Sequence, residues 1–234
     1  MGTAVPPIPR RVYVERLTGA RWSVCIDESA PDSVVTSENY FELGDPAIQF
    51  DARSNGVFVA YPIRRPDGFR DIVLAAANAT SASSASAWTF RQVNDRAETG
   101  DRGHPAIAVN NLDALERAAS GAVYVTWYEP LFDSEAEDFP LNAAVERYAR
   151  GYRVVGGQLQ PRSASFSIAD PFWPNVTNVI VDDTSDPRGT HECQTMAHIP
   201  GTADWIGVWG APKNPSSPIN PEVGEFRLQY STWD

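Results

Sequence analysis

The stretch HECQTMAH puts His191, Glu192, Cys193 and His198 within eight residues, and these are residue types from which a transition-metal site is built. In an extended strand His191 and Cys193 share one face while His198 falls on the other. A single ion could not take all three, so no metal is expected. The loop PIRRPDGFRD carries Arg64, Arg65 and Arg70, whose planar forks suit a carboxylate. Asp45 and His104 occupy equivalent places in two similar segments, GDPAIQF and GHPAIAV. Each also has a plain reading: Asp45 before a proline opens a strand by bonding its own turn, and His104 is a partly exposed structural histidine. The acidic loop EPLFDSEAEDFP, with Asp133, Glu135, Glu137 and Asp138, lacks the alternating oxygen ligands and the glycine of a calcium loop. It reads as a solvated surface, and no cofactor is expected.

The two similar segments reveal the elements that must hold these residues. PAIQF is a short strand, SNG a turn and VFVAY a β-branched and aromatic strand, which together read as a hairpin. IVLAAANA supplies a third strand, TSASSASA a small-residue turn and WTFRQV a fourth. The unit recurs with His104–Val109 as strand one, Ala122–Glu129 as strand two and Tyr152–Gln160 as strand three. A third copy runs HECQTMAHIPG, ADWIGVWGA and GEFRLQYSTWD, and VYVERLTGARWSV reads as the tail of another. LNAAVERYARG is the one candidate helix, with Leu141, Val145 and Tyr148 at helical spacing.

Composition agrees with many short strands. Gly 16 and Pro 19 among 234 residues punctuate the chain heavily, and long helix-forming stretches are scarce. The formal charge is −11 and 18 of the 19 basic residues are Arg, with no basic stripe to neutralise a phosphate backbone, so nucleic-acid binding is not expected. No apolar run approaches the roughly 18 residues of a membrane helix, and MGTAVPPIPRR lacks the apolar core of a signal peptide.

A four-stranded unit repeated in this way is the pattern of a β-propeller blade, because one small twisted sheet buries both faces only when neighbours pack on it. The all-β class follows, with a partial blade at 10–26 and blades at 44–95, 103–182 (with long insertions) and 190–234; a β-sandwich is the competing architecture. The pattern of Asp-Pro, an apolar strand, a turn and a small-residue turn ending in Trp resembles the sialidase-like, Asp-box (BNR-repeat) propeller superfamily. That family's turn runs Ser, any, Asp, any, Gly, any, Thr, Trp. Before Trp88 stand Ser81, Ser83 and Ala85, and before Trp22 stand Glu15, Leu17 and Gly19. The final YSTWD matches the start of another such turn.

The resemblance implies that strand-one starts and strand-two-to-three loops converge on one mouth. Asp45, Arg64, Arg65, Arg70, His104, Trp127, Tyr128, His191 and Glu192 are the ligand-binding candidates there, with Trp209 and Lys213 nearby. Sialidases of that family use three arginines, a Tyr-Glu nucleophile and an Asp acid/base. Here the family's Arg-Ile-Pro segment has no match and no Tyr nucleophile can be assigned, so catalytic residues stay unassigned. The expected function is a non-catalytic module for a glycan or protein partner; a divergent glycosidase and a structural subunit are the alternatives. Cys25 and Cys193 map to the same face, either as a disulfide or as two buried thiols. The sequons at Asn78 and Asn175 fit an extracellular or cell-surface setting. RWSV reads as an outermost strand without its inner partners and the C-terminal unit lacks an outer strand, so the two ends would complete one blade between them; the three blades would then close a ring by self-association of two chains, or another chain would supply the missing blades.

Overall fold

A computed structural model describes residues 12–26, 46–64, 70–95, 102–110, 122–130, 145–155, 158–162, 164, 166–167, 176–180, 192–202, 204–212 and 226–233. These residues form an all-β protein of four antiparallel sheets. The first sheet is the hairpin β1 (Tyr13–Arg16) and β2 (Trp22–Cys25). The second runs in chain order through β3 (Ala47–Asp51), β4 (Gly56–Arg64), β5 (Arg70–Asn78) and β6 (Thr89–Gln92). The third holds β7 (Gly103–Val109), β8 (Val123–Pro130), β9 (Val145–Val155) and β10 (Gln158–Pro161), with β11 (Phe166–Ser167) added on β9. The fourth contains β12 (Val176–Ile180), β13 (Glu192–His198), β14 (Trp205–Pro212) and β15 (Phe226–Trp233), in the spatial order β12-β15-β14-β13.

Packing explains why β4 and β5 are apolar over residues 57–63 and 72–77 rather than alternating. Phe58, Ala60, Ile72 and Leu74 point to the third sheet and join Ile107, Val125 and Trp127 in one core. Their neighbours Val59, Tyr61, Val73 and Ala75 point the other way, onto Val14, Val24 and Ile26 of the first hairpin. Period-two geometry therefore feeds two cores from the same strands. Pro62 is tolerated in β4 because β3 ends at Ala47, opposite Ala60, so the proline lies beyond that neighbour. The third and fourth sheets meet where Tyr124 packs on Trp205, ring centroids 4.5 Å apart. Trp205 also takes His198 edge-on at 4.9 Å. Burial lowers the His198 pKa, against the opposing pull of a backbone hydrogen bond at Thr202 and the charge of Asp204.

The strands read as first in each unit, 45–50, 104–109 and about 193–199, correspond to β3, β7 and β13, each an edge strand of its own sheet. β3 touches β7, and β7 touches β13. The β3–β4 turn is closed by Asp51, whose Oδ1 accepts from the Arg53 N–H at 3.0 Å and whose Oδ2 accepts from the Ser54 hydroxyl. Asn55 completes it at φ 52°, a conformation its short polar side chain tolerates. Trp88 ends the small-residue turn after β5, buried, with its indole N–H donated to the Ala82 carbonyl at 3.0 Å.

Five expectations are corrected. The candidate helix is strand from Val145 onward: β9 pairs with β8 from Pro130↔Val145 to Val123↔Tyr152. Tyr148 and Tyr152 enter the core on one face of it, and sheet pairing of aromatic and β-branched residues outweighs a short helical spacing. The segment 152–160 is two strands, not one, turning back so that Val155 faces Gln158. Finally, among the described residues the N-terminal strands and the C-terminal sheet do not pair into one blade. β1 and β2 pair with each other, and the edge of β15 is taken by β12, from Val176↔Trp233 to Ile180↔Gln229. Strand β12, read as part of the second unit, thus belongs to the fourth sheet, and YSTW is strand rather than the start of a turn.

Gly151 lies directly opposite Tyr124, and a Cβ built on it would stand 2.6 Å from the Tyr124 ring. That ring cannot swing aside easily, because Arg162 Nη1 donates to its hydroxyl at 2.5 Å and Trp205 backs it. Gly151→Ala is expected to cost about 1–3 kcal/mol through overpacking. Urea unfolding monitored by tryptophan fluorescence would read this, and an unchanged midpoint would show that the ring moves freely.

Candidate functional site

The candidate site lies at the end of the second and third sheets where β4 leaves and β5 enters. Arg64 and Arg70 are opposite each other in the register. The next residue, Asp71, heads an apolar strand, and its buried carboxylate collects donors from three places. Arg102 Nη1 reaches Oδ1 at 3.0 Å, Asn94 Nδ2 reaches Oδ1 at 2.9 Å, and Gln92 Nε2 reaches Oδ2 at 3.1 Å. The Ile72 N–H in turn donates to Asn94 Oδ1 at 2.8 Å. The arrangement ties the exit of β6 and the entry of β7 to the head of β5. Buried charge is tolerated here because it is paired and hydrogen-bonded.

Arg102 thereby anchors the start of β7, and a bulge follows. Gly103 pairs with Tyr128, but the register has shifted by Ala106, which pairs with Thr126. Within the bulge His104 adopts φ 46°, uncommon for any residue but glycine and found here directly before Pro105. Bulges re-aim side chains at sheet rims, and His104 emerges half-buried at the same end as Arg64 and Tyr128.

The site candidates divide as follows. His104, Arg64 and Tyr128 come to one end, the last two described by their backbone. Glu192 begins β13, the neighbour of β7. Asp45, Arg65 and His191 lie outside the described residues, as do the acidic loop 133–138 and Lys213. Two candidates are corrected. Trp127 is 0% exposed and stacks on Tyr148 in the core between the second and third sheets, centroids 6.0 Å apart. Arg70 is 6% exposed, so it does not present an open guanidinium to a ligand. Cys25 stands in the first sheet and the Cys193 backbone in the fourth, with the second and third between them in packing order. A register shift between Glu192 and Gln194 breaks the strict alternation assumed for HECQTMAH. Among the described residues no three His, Cys, Asp or Glu side chains converge as a metal-binding set.

What sequence reading missed is the Asp71–Arg102–Asn94 network. The available signal was an Arg-Asp pair at the head of the run IVLAAANA, since a charged residue entering an all-apolar strand needs partners. A second link, Arg150, donates from Nη1 to the Val93 carbonyl at 2.7 Å and pairs with Asp95 at 3.4 Å. Its guanidinium lies 5.8 Å from the centroid of Tyr152, whose hydroxyl pKa is raised by burial.

Fold and site together define an all-β protein of stacked antiparallel sheets whose adjoining edge strands carry a strained histidine at one rim. The chain matches no known family model, no curated protein and no solved structure. Among the described residues, no helix is long and apolar enough to cross a membrane.

Proposed function

We propose that the chain is a sialidase-like β-propeller module that binds a glycan or protein partner without catalysis, in an extracellular or cell-surface setting. Its binding face comprises the starts of β3, β7 and β13 with the β4–β5 and β8–β9 loops. The observation that carries this reading is the succession of edge strands: β3 adjoins β7 and β7 adjoins β13, as inner blade strands do around an axis. His104 in its left-handed bulge stands at the rim so formed, and held strain of this kind clusters at ligand sites. Arg64 and Arg65 supply the carboxylate-gripping chemistry. Asp71, buried beside this rim, is engaged by Arg102, Asn94 and Gln92 and so is not offered as a catalytic acid or base.

A glycan array together with a panel of fluorogenic glycosides tests the proposal. Binding without turnover is expected, and turnover of any glycoside would replace the module by the glycosidase alternative. The double variant Arg64→Ala/Arg65→Ala should weaken an acidic ligand by about tenfold or more, since a hydrogen bond to a charged group contributes roughly 1.5–3 kcal/mol. Unchanged affinity with a native circular dichroism spectrum would remove these arginines from the site.

One observation favours a second reading, a structural subunit that completes its sheets with another chain. Among the described residues the first sheet has two strands where the others have at least four. It covers Val59 and Tyr61 but leaves Ile48 and Phe50 of β3 at 55% and 52% exposed. Those side chains share the face of Val59 and Val57, their register partners, so the apolar surface continues past the hairpin. Under this reading Ile48→Glu/Phe50→Glu would abolish association in sedimentation equilibrium; a monomer at all concentrations would exclude self-association.

A further inference from the structure

At the end of β5 remote from the rim, Asn78 begins the sequon Asn78-Ala79-Thr80, and its side chain is held in one orientation. The Thr80 N–H donates to Asn78 Oδ1 at 3.0 Å, and the Thr80 hydroxyl donates to the same oxygen at 2.7 Å. A backbone N–H can only donate, so the atom facing it is the carbonyl oxygen and the amide nitrogen points away. Asn55 Nδ2 adds a further donor to that oxygen at 3.1 Å. Asn78 Nδ2 makes no hydrogen bond among the described residues, and Asn78 and Thr80 are both exposed.

The corner is rigid and uncluttered. The Ala79 N–H donates to the Asn55 carbonyl at 2.8 Å, and the Ser81 N–H to the Asn78 carbonyl at 3.0 Å. The turn that follows, 79–87, contains only Ala, Ser and Thr, so no long or charged side chain within it competes for the space beside Asn78. The strand from Arg70 to Asn78 separates this corner from the rim by about 27 Å at the rise of an antiparallel strand, which keeps a bulky group clear of the proposed binding face.

We propose that Asn78 is an acceptor for an N-linked glycan. The sugar donor is an oligosaccharide carried on a lipid-linked diphosphate. A bond forms between Asn78 Nδ2 and the anomeric carbon, the bond from that carbon to the diphosphate oxygen breaks, and Nδ2 gives up one proton as the diphosphate leaves; nothing is oxidised or reduced. The product is a large hydrophilic group on the surface. The proposal rests on the extracellular part of the reading above, but not on its ligand.

The test supplies the compartment. The full chain is produced in eukaryotic cells behind a cleavable secretion signal and treated with peptide N-glycosidase, and the modified position is mapped by mass spectrometry. A glycan on Asn78 is expected, released with conversion of Asn78 to Asp. Thr80→Ser should keep it, whereas Asn78→Gln and Thr80→Ala should lose it. Folded wild-type chain with Asn78 unmodified overturns the proposal, as does a glycan on Asn78 that persists in Thr80→Ala. The wild-type map decides the matter even where a variant fails to fold. Failure on the glycan array would bear on the binding module and leave this site untouched.

Discussion

Asp71→Ala is expected to lower folding stability by about 3–5 kcal/mol, the range for removing one partner of a buried ion pair. The size follows from burial rather than distance. Arg102 is 0% exposed and the Asp71 side chain 8%, so the guanidinium would lose its carboxylate where water cannot easily replace it. Arg150 and Asp95, at 13% and 27% exposure, are more open, and breaking that pair should cost nearer 1 kcal/mol. Asp71→Ala also removes the acceptors of Asn94 and Gln92, loosening the exit of β6. Urea unfolding of Asp71→Ala, Arg102→Met and the double variant measures the coupling. The double variant should recover part of the loss, because no charge is then left buried alone. A cost for Asp71→Ala within the surface-pair range would mean that the network is open to solvent.

The second large effect is expected at Trp127. Truncation to Ala should cost about 3–5 kcal/mol, as for other buried tryptophans, because the ring fills the core between the second and third sheets against Tyr148. This result separates two roles directly. A ligand-contacting Trp at an open rim would leave stability nearly unchanged and reduce affinity; a core Trp shifts the unfolding midpoint and alters binding only through the fold. Wild-type stability in Trp127→Ala would return the residue to the list of ligand contacts.

Trp127 also shows where reading the chain stops being sufficient. In VYVTWYEP apolar or aromatic residues occur on both faces of β8, because sheets lie on both sides: Val123, Val125 and Trp127 turn to the second sheet and Tyr124 to the fourth. Alternation that marks an inside and an outside is absent from such a strand. The site shows the same limit. Arg64, Arg65 and Arg70 share one loop in the sequence, but Arg70 is already inside β5 and buried, and only its place directly before Asp71 and an apolar run sets it apart from the other two. Asp71 and Arg102 stand 31 positions apart, and only folding makes them partners.

Local chemistry was enough for the all-β class, for the hairpins β3–β4 and β5–β6 with their turn residues, and for β7 and β13 as counterparts of β3. Each depends on contacts within a few residues: a turn that positions two strands, and a pattern repeated along the chain. Helix against strand at 145–151 was not settled locally, since Leu141 and Val145, and again Tyr148 and Tyr152, are four apart, a spacing that puts both residues on one face in a helix and in a strand alike. The place of β12 was still less accessible. Its five residues pair with β15 about fifty positions later, and VTNVI contains no mark of that partner. Backbone donors and acceptors pair alike whatever side chains they carry, so the choice among open sheet edges falls to the packing of whole sheets on one another.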